Sequence, residues 1–389
     1  MLVRIDESRE QIIFMNLDDW MNEALLDRKS NGSLRTLTNT QNKSDFVSND
    51  YLGLAHSKEL HQFIEARYQK IKTPTNGSTG SRLLAGNSEL AEEVEAQLST
   101  IFLAEQTLLF NSGYVANLAA LSCIPQKGDT ILCDELVHAC MHDGARLSRA
   151  DRFSFKHNDL NDLENKLKAA KGKIFIAVES IYSMDGDQCP LTGLVTLAEQ
   201  FQAHIILDEA HSTGAYGKNG CGLAVSLGLQ SKIAIRIYTF GKALGVHGAC
   251  VAGSKTLINY LINFARPFIY STAMSPHSTV SIQCAFEFLQ KENHRQQTLQ
   301  SKINFFLNEY KKVSLPKIES TSSIQSILVK GNTEVIAFAN YLQQQNLDCR
   351  AIRSPSVKPG SERIRICLHS FNTETEIQKL IKALQEFRN

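Results

Sequence analysis

The chain has 389 residues, of which 43% are hydrophobic and 21% charged, and its formal net charge is +1 at pH 7. That length exceeds what one hydrophobic core usually supports, so we expect two lobes or more. The balanced charge argues against nucleic acid or an acidic membrane as a partner. No apolar run approaches the ~18 residues that a bilayer-spanning helix needs.

The N-terminus and the cysteines indicate a cytoplasmic protein. The first residues, MLVRIDESREQIIF, include acidic side chains where a signal peptide needs an apolar core. The nine cysteines are an odd number and lie singly, without a CxxC pair. We interpret them as reduced and mostly buried thiols.

The segments before the first long apolar run have helical patterns. Residues 1–47 are interpreted as a helical arm. A later helix is predicted from one apolar face, formed by Leu90, Val94, Leu98 and Ile101. Acidic side chains in its first turn favour the positive end of the helix dipole.

Seven short apolar runs alternate with helical segments between about Gln106 and Gly253. The runs are QTLLF, DTILCD, DRFSF, KIFIAVES, AHIILDEA, IAIRIYTF and GACVAG. Their near-continuous apolar character is typical of strands buried on both faces. The alternation predicts an α/β fold with a mostly parallel seven-stranded sheet flanked by helices.

The pattern changes after about Pro276. A long helix, the strands SIQSILVK and ERIRICL, and a last helix from about Thr373 indicate a smaller α+β lobe. We therefore predict a large domain over residues 48–275 and a C-terminal α+β domain over residues 276–389.

Polar or glycine residues of catalytic type follow five of the predicted strands. The five strand ends are NSGY (111–114), DELVH (134–138), ESIYSMDGD (179–187), DEAHSTG (208–214) and TFGK (239–242). Ligands of open α/β sheets bind at the carboxyl ends of the strands. The sequence therefore predicts an active site at this edge.

Asp208 and Lys242 are the most informative pair at these strand ends. Taken alone, Asp208 fits a salt bridge or a helix cap equally well, and a lysine after a strand is usually solvated. A buried lysine, however, has a lowered pKa and can form a Schiff base with a carbonyl. A neighbouring carboxylate can hold a pyridinium nitrogen protonated, so the pair matches what pyridoxal phosphate requires.

A phosphate site is predicted near the same edge. Ser112 and Gly113 open the helix YVANLAALS directly after a strand, and a helix N-terminus offers free N–H groups to an anion. Thr239 adds a hydroxyl three residues before Lys242. Glycine after a strand is common, so this signal is weak by itself.

Three literal motif matches indicate other functions. DEAH at 208–211 is also a helicase pattern, but no GxxxxGK[ST] loop precedes it. AHSTG at 210–214 approximates the elbow of a serine hydrolase with Ser212 as nucleophile, for which Asp348 and His369 are the available partners. His138 and His142 in HACMH could bind zinc together with Cys133 or Cys140, although the glutamate of HExxH is missing; we predict no metal.

Two further features stay open from the residues alone. NGSTGSRLLAGN at 76–87 is either a flexible substrate loop or a set of turns. Arg365, in the strand ERIRICL, is either a surface charge or a clamp for a substrate carboxylate, which a guanidinium binds with two hydrogen bonds.

Together, these motifs resemble those of the α-oxoamine synthases, a branch of the fold-type-I pyridoxal-phosphate transferases. The matching segments span nearly the whole chain: SNDYLGLA, GSTGSRLLAG, NSGYVAN, HAC, YSMDGDQCPL, LDEAHSTGAYG, TFGKALGVHGA, FIYSTAMSP and PSVKPGSERIRI. The resemblance implies pyridoxal 5'-phosphate as cofactor and a homodimer with shared active sites.

The resemblance also implies roles around the cofactor. Lys242 would form the Schiff base and later move the proton, Asp208 would pair with the ring nitrogen, and His138 would stack on the ring. His211 and Ser183 would contact the ring-oxygen side.

The phosphate and the substrates complete the implied site. Gly113, Tyr114 and Thr239 would hold the phosphate, and Ser271 and Thr272 would reach the phosphate of the other subunit. The residues implied to contact the amino acid, the acyl substrate or the condensation intermediate are Arg35, Asn49, Ser356 and Arg365.

The implied reaction is a decarboxylative condensation of an amino acid with an acyl thioester. SMDGDQCPL and IRSPSVKPGSERIRI are most similar to the branch that joins L-alanine to a pimeloyl thioester. Glycine or serine with other acyl chains, and coenzyme A or acyl carrier protein as the carrier, stay open. A family member that has lost catalysis is disfavoured by the presence of Lys242 and Asp208.

Overall fold

The computed structural model describes residues 3–5, 12–14, 16–37, 42–72 and 74–387. Its N-terminal part contains the strands β1 (Val3–Ile5) and β2 (Ile12–Phe14), which pair antiparallel, and the helix α1 (Leu17–Ser30). Asn16 caps α1, and none of the side chains of this helix is buried. The predicted arm thus contains the expected helix and, in addition, a strand pair that the sequence did not indicate.

Three elements lead from the arm to the main sheet: β3 (Ser44–Asp45), α2 (Lys58–Tyr68) and α3 (Glu89–Ile101). In α3, Val94 and Leu98 are fully buried, whereas Leu90 and Ile101 are partly buried. The predicted apolar face is therefore confirmed, with its centre packed most deeply.

The large lobe alternates strands and helices, as the apolar runs predict. In chain order its elements are β4 (Gln106–Phe110), α4 (Gly113–Cys123), β5 (Thr130–Asp134), α5 (Ala139–Leu147), β6 (Asp151–Phe155), α6 (Leu160–Ala169), β7 (Ile174–Glu179), α7 (Leu191–Gln200), β8 (His204–Asp208), α8 (Gly222–Ser226), β9 (Ile235–Thr239), β10 (Ala249–Gly253), α9 (Lys255–Phe264) and α10 (Arg266–Ile269).

Strands β4 to β10 form one seven-stranded sheet within residues 74–387, in the order β4-β10-β9-β8-β7-β5-β6. β10 runs antiparallel to both of its neighbours, and the remaining pairs are parallel. The mostly parallel sheet is confirmed. One expectation is wrong: four of the five residues of β6, which lies at one edge of the sheet, are exposed, whereas β4 at the other edge is mostly buried.

Both faces of the central strands are covered. Leu108 and Val251 belong to one apolar cluster, and Leu109 and Ala252, their neighbours in the chain, belong to another. Since successive side chains of a strand point to opposite faces, the sheet separates two cores. The cleft described below therefore opens at the carboxyl ends of the strands and not on a face of the sheet.

The C-terminal lobe has the predicted α+β composition. Its elements are α11 (Pro276–Lys291), α12 (His294–Tyr310), β11 (Ile324–Leu328), α13 (Asn332–Gln344), β12 (Leu347–Asp348), β13 (Arg350–Ile352), β14 (Arg363–Cys367) and α14 (Glu374–Glu386). β11, β14 and β13 form an antiparallel sheet, and β12 pairs in parallel with β3. The N-terminal segment is thus joined to this lobe, and the exact domain boundaries stay a prediction.

The structure describes the burial of the cysteines and the apolar character of the helices. All nine cysteines are free thiols, and all except Cys123 are buried. Among the described helices, none combines the length and the apolar character that crossing a membrane requires.

Candidate active site

A cleft of about 300 Å³ lies at the carboxyl ends of the sheet strands. It brings together eight of the residues predicted from the sequence: Asn49, Gly113, Tyr114, His138, Asp208, His211, Thr239 and Lys242. These residues come from five different strand ends or loops. The cleft is therefore the site that the strand-end polar residues predict.

Asp208 is the last residue of β8 and is only 4% exposed. Its Oδ2 accepts a hydrogen bond from Asn117 Nδ2 at 2.6 Å, and its Oδ1 accepts one from the Ala210 N–H at 2.8 Å. β8 pairs with β9, so Asp208 and the segment that leads to Lys242 leave the sheet side by side. A carboxylate held in this way can bind a protonated nitrogen in the cleft.

Lys242 lies three residues beyond the end of β9; the residue as a whole is partly exposed, whereas the amine at its end is surrounded by protein. Burial of its amine lowers the pKa, and the Arg365 charge lowers it further, against the opposing effects of Asp208 and Glu179. A larger fraction of the amine is therefore neutral than for an exposed lysine. A neutral amine is the nucleophilic form.

Glu179 is a cleft residue that the sequence interpretation missed. It ends β7 directly opposite Asp208 in the register of β8, and it is 2% exposed. Burial and then the Asp208 charge raise the pKa of Glu179, and its Oε1 has no hydrogen-bond partner among the described residues. The available signal was its position, because Glu179 follows an apolar run just as Asp208 does.

Two histidines line the cleft and differ in exposure. His138 is exposed and caps α5 through Nδ1, which accepts from the Cys140 N–H at 3.2 Å; partial burial of its ring lowers the pKa. His211 is buried, and its Nδ1 lies 2.7 Å from the hydroxyl of Tyr51, a second residue that the sequence interpretation missed. Burial and the Lys242 charge hold the pKa of His211 well below its usual range, so this ring is neutral.

The N-terminus of α4 forms one end of the cleft. Ser112 caps the helix by accepting from the Val115 N–H at 3.3 Å, and the N–H groups of the first turn have no partner within the helix itself. An added Cβ on Gly113 would lie 2.4 Å from Cγ2 of Thr239, so only glycine fits here without movement. A helix N-terminus of this kind can bind an anion.

Arg365 reaches the site from the C-terminal lobe. Its Nε donates to the Ser183 carbonyl at 2.7 Å, and its Nη2 donates to Asn49 Oδ1 at 2.9 Å. Asn49 lines the cleft and also accepts from the Tyr51 hydroxyl at 3.0 Å. Arg365 is therefore part of the site's surroundings, and its interpretation as a pure surface charge is wrong.

Ser271 and Thr272 do not line this cleft. They border a separate cavity of about 450 Å³, together with the glycine-rich segment 76–87. That segment is held by bonds to the stretch that follows Thr272: Ser78 Oγ donates to the Met274 carbonyl, and Gly80 accepts from the Ala273 N–H at 2.9 Å. Contributions of Ser271 and Thr272 to a second subunit stay a prediction.

Arg35 and Ser356 contact each other directly. Arg35 Nη2 donates to Ser356 Oγ at 2.9 Å, although the two residues are far apart in the chain. A second link, from Arg353 Nη2 to the Leu34 carbonyl at 2.6 Å, holds the same two segments together. Neither Arg35 nor Ser356 lines the cleft, and both are exposed.

The alternative based on Ser212 is wrong. Ser212 is completely buried, its hydroxyl donates to the Glu209 carbonyl at 3.0 Å, and Ser180 donates to it at 3.0 Å. His369, the partner that the hydrolase interpretation needs, bonds with Ser48 and Asn372. A nucleophile must be reached by its substrate, and this hydroxyl is not accessible.

The zinc interpretation of His138 and His142 also fails on geometry. Nδ1 of His138 lies 2.9 Å from the sulfur of Cys140, but among the described residues no third possible ligand comes close enough to both. Within the part of the chain that the structure describes, the side chains close enough to hold a metal ion belong to a different cluster, His157, Asp185 and Asp187.

Comparison with known proteins gives a consistent family. Residues 41–384 match the model of aminotransferase class I and II. The 8-amino-7-oxononanoate synthase 2 of Bacillus subtilis (strain 168) is 36% identical to this chain, covering 95% of it and 97% of the relative.

Two solved structures are similar over most of their length. Serine palmitoyltransferase from S. paucimobilis with bound PLP–myriocin has a TM-score of 0.86 at 22% identity, covering 95% of this chain and 98% of that one. The 8-amino-7-oxononanoate synthase from Francisella tularensis has a TM-score of 0.77 at 28% identity, covering 89% and 98%. The first likeness shows the fold alone.

The cofactor of this site is pyridoxal 5'-phosphate, in agreement with the family and with the groups that the cleft presents. The cleft offers an amine of lowered pKa, a buried carboxylate, an exposed imidazole and the N-terminus of α4, which begins at Gly113. These groups match an aldehyde, a ring nitrogen, an aromatic face and a phosphate, in that order.

Proposed function

Because the chain belongs to the aminotransferase class I and II family and, within it, to the α-oxoamine synthases, we propose that it condenses L-alanine with a pimeloyl thioester to give 8-amino-7-oxononanoate, carbon dioxide and the free thiol carrier, in biotin biosynthesis. The reaction type is acyl transfer. The observation that carries the proposal is 36% identity to the Bacillus subtilis synthase over 95% of the chain. The likeness to serine palmitoyltransferase, at 22% identity, does not bear on the substrate.

We assign the cofactor-binding roles as follows. Lys242 Nζ would hold the aldehyde carbon, Asp208 would keep a proton on the ring nitrogen, and His138 would cover one face of the ring. The neutral His211 and Ser183 would contact the ring-oxygen side. The lowered pKa of Lys242 supports its role, since a neutral Nζ can also take the proton from the α-carbon of the amino acid.

The phosphate would bind at the N-terminus of α4. Gly113 and Tyr114 would donate their backbone N–H groups, and Thr239 would add its hydroxyl. Ser271 and Thr272 lie outside the cleft of their own chain, which agrees with our proposal that they serve the phosphate of the second subunit of a homodimer. Location in the cytoplasm stays a prediction from cysteine usage.

Arg365 and Asn49 would bind the amino acid. A guanidinium binds a carboxylate with two parallel hydrogen bonds, and Arg365 is already oriented by Ser183 and Asn49. Pyridoxal phosphate, when bound, withdraws electrons from the α-carbon so that this carbon can attack the thioester. Asn49 sits between Arg365 and the cleft, where it would contact the condensation intermediate.

The acyl substrate would be recognised by Arg35 and Ser356. A pimeloyl chain ends in a carboxylate, which needs a cationic partner, and Arg35 supplies one. The 2.9 Å bond between Arg35 and Ser356 supports a shared role, because it joins both residues in one polar patch. Acetyl and palmitoyl chains lack the terminal carboxylate and so would gain nothing from this arginine.

The experiment compares kcat/KM for pimeloyl-, acetyl-, succinyl- and palmitoyl-CoA, each with alanine, glycine and serine, and includes pimeloyl acyl carrier protein. We expect alanine with a pimeloyl thioester to be best, and alanine to exceed glycine by about 10- to 200-fold. Arg35→Ala should raise KM for pimeloyl-CoA by about tenfold or more, whereas Lys29→Ala, an exposed charge on α1, should leave it unchanged.

The outcomes separate the parts of the proposal. If palmitoyl-CoA with serine or acetyl-CoA with glycine is the best pair, the biotin-pathway assignment is wrong and the condensation chemistry stands. If pimeloyl-CoA is preferred and Arg35→Ala has no effect, the pathway stands and Arg35 is not the carboxylate partner.

A further inference from the structure

A histidine outside the cleft joins two carboxylates at once. His157 follows β6, its Nδ1 lies 2.9 Å from Asp134 Oδ1, and its Nε2 lies 2.7 Å from Asp187 Oδ2. Asp134 ends β5 and its side chain is fully buried, whereas Asp187 belongs to the segment after β7. The imidazole therefore links two strand ends of the sheet through its two nitrogens.

The carboxylate beside each nitrogen of this ring favours a proton on both nitrogens. A carboxylate only accepts hydrogen bonds, and a neutral imidazole has only one N–H to donate. Burial by itself lowers the pKa of His157, but the hydrogen bonds to Asp134 and Asp187 raise it to about 9. His157 is thus an imidazolium at neutral pH.

The segment that His157 holds, Tyr182–Gln188, is a tight turn. The Gly186 N–H donates to the Tyr182 carbonyl at 2.8 Å, the Tyr182 N–H donates to the Asp187 carbonyl at 3.0 Å, and Gly186 has a φ of +78°. The ring of His157 also stands edge-on to Tyr182, with centroids 4.4 Å apart. We call residues 182–188 the clamp loop.

The far side of the clamp loop is attached to the C-terminal lobe. Arg363 forms an ion pair with Asp185, and Ser326 Oγ donates to the Met184 carbonyl at 2.6 Å. Arg365, two residues along β14 from Arg363, donates to the Ser183 carbonyl at 2.7 Å. Side chains two apart on a strand share a face, so one face of β14 rests on this loop.

A metal ion does not account for the cluster. His157, Asp185 and Asp187 are close enough to one another to hold one. However, Asp185 is already paired with Arg363, and both nitrogens of His157 lie within hydrogen-bond distance of carboxylates. The cluster is an ion-pair network that fixes the clamp loop.

We propose that protonated His157 is a positioning residue: by binding Asp134 and Asp187 together it fixes the clamp loop, and the Ser183 carbonyl on that loop then orients Arg365 toward the carboxylate of the amino-acid substrate. The inference rests on the proposed function only in taking Arg365 as the carboxylate-binding group. It assigns a role to a residue outside the cleft.

The sign of the pH effect follows from the charges around the ring. The groups facing His157 are Asp134 and Glu135 from the end of β5, and Tyr182, Asp185 and Asp187 from the clamp loop. Lys358 pairs with Glu135, and Arg363 pairs with Asp185. Because the pKa of folded His157 is raised, its contribution is complete below about pH 6.5 and is lost as the pH rises through about 9.

The test measures the Kd of the amino acid for the cofactor-loaded enzyme from the change in cofactor absorbance, without any thioester. Alanine, glycine and serine are each titrated at several pH values from 7 to 10, so the result does not depend on the assignment of the acyl substrate. His157→Gln, which cannot donate to both carboxylates from two sides, should raise Kd at pH 7.5 by about tenfold. The matched control is His204→Gln, an exposed histidine at the start of β8.

Two further measurements accompany the titration: cofactor affinity separates a local effect from a general loss of structure, and stability tests the charge on His157. The affinity for pyridoxal phosphate should fall by a smaller factor than the affinity for the amino acid in His157→Gln, because Ser183 is the only assigned cofactor contact that belongs to the clamp loop. The free energy of unfolding of the cofactor-free wild type, measured with urea, should decrease from pH 7.5 to 10 more steeply than that of His157→Gln. Equal pH dependence of the two proteins would show that the imidazolium does not act as stated.

A second variant keeps the proposal testable if His157→Gln does not fold. Asp187→Asn preserves the shape of the clamp loop but removes one charge next to His157, so the pH at which amino-acid affinity weakens should fall below that of the wild type. An unchanged midpoint, or an unchanged Kd in His157→Gln at pH 7.5, overturns the proposal. If the wild type binds none of the three amino acids, the proposed function fails instead, and the unfolding measurement alone decides the role of His157 as a clamp.

Discussion

Gly113 and Thr239 approach so closely that a Cβ on Gly113 would lie 2.4 Å from the Cγ2 atom of Thr239. Gly113 begins α4 and Thr239 ends β9, so this contact sets the distance between the helix N-terminus and the strand that leads to Lys242. Thr239 is nearly buried and β-branched, which leaves its side chain few ways to move aside.

We expect Gly113→Ala to lower the free energy of unfolding by about 1–3 kcal/mol and to weaken cofactor binding, since the added methyl group overpacks this contact. Thr239→Ser removes Cγ2 and keeps the hydroxyl, so the double variant should recover much of the loss. The control is Gly77→Ala, where a Cβ meets no atom within 4 Å. Urea unfolding and cofactor titration measure both effects, and a Gly113→Ala protein as stable as the control would contradict the packing argument.

Lys242→Ala should fold and still bind the cofactor, but without a covalent bond to it. Borohydride reduction followed by peptide mass analysis should label Lys242 in the wild type and no lysine in the variant. We expect turnover to fall by about 10²-fold or more, because the variant has no amine to move the proton. Labelling of another lysine in the wild type would refute the assignment.

The buried His211 predicts a stability change in acid. Its pKa is lowered in the folded protein by burial and by Lys242, so the unfolded chain binds a proton that the folded protein does not. Stability from this group is therefore present above about pH 6.5 and decreases by about 1.4 kcal/mol for each pH unit below it. In His211→Asn this decrease should be absent from the cofactor-free protein.

Urea unfolding at pH 7.5 and 5.5 tests that expectation, with the exposed His204→Asn as the matched control. The control should keep the acid sensitivity of the wild type. An equal loss of stability in His211→Asn and wild type would mean that other groups account for it.

Subunit complementation tests the shared active site. If Ser271 and Thr272 act in the neighbouring subunit, a mixture of Lys242→Ala chains with Ser271→Ala/Thr272→Ala chains forms heterodimers that each contain one intact site. After unfolding and refolding together, the mixture should recover about a quarter of the wild-type activity, although each variant alone is inactive or weak. No recovery, with dimers present by sedimentation, would place these two residues outside the partner's site.

The strand-end pattern predicted correctly which polar residues lie together in the cleft, while their roles stay a prediction. Asp208, His138 and Lys242 follow apolar runs, and parallel strands deliver their carboxyl ends to one edge, so these residues meet in one cleft. Glu179 obeys the same rule, since it ends β7 directly opposite Asp208. Asn117 carried no signal, since it lies within the apolar segment YVANLAALS and its bond to Asp208 depends on helix packing.

The sequence by itself thus determined the alternation of strands and helices, the strand ends at which the cleft lies and most of the polar residues that line it. These features depend on local pattern. Only the tertiary structure decided which groups contact one another. Strand order left β6 exposed at the edge, and tertiary packing buried Ser212 against Ser180 and joined Arg365 to Ser183 and His157 to Asp187. These contacts join segments distant in the chain, and the energy that selects them comes from packing and paired charges that no single stretch of sequence contains.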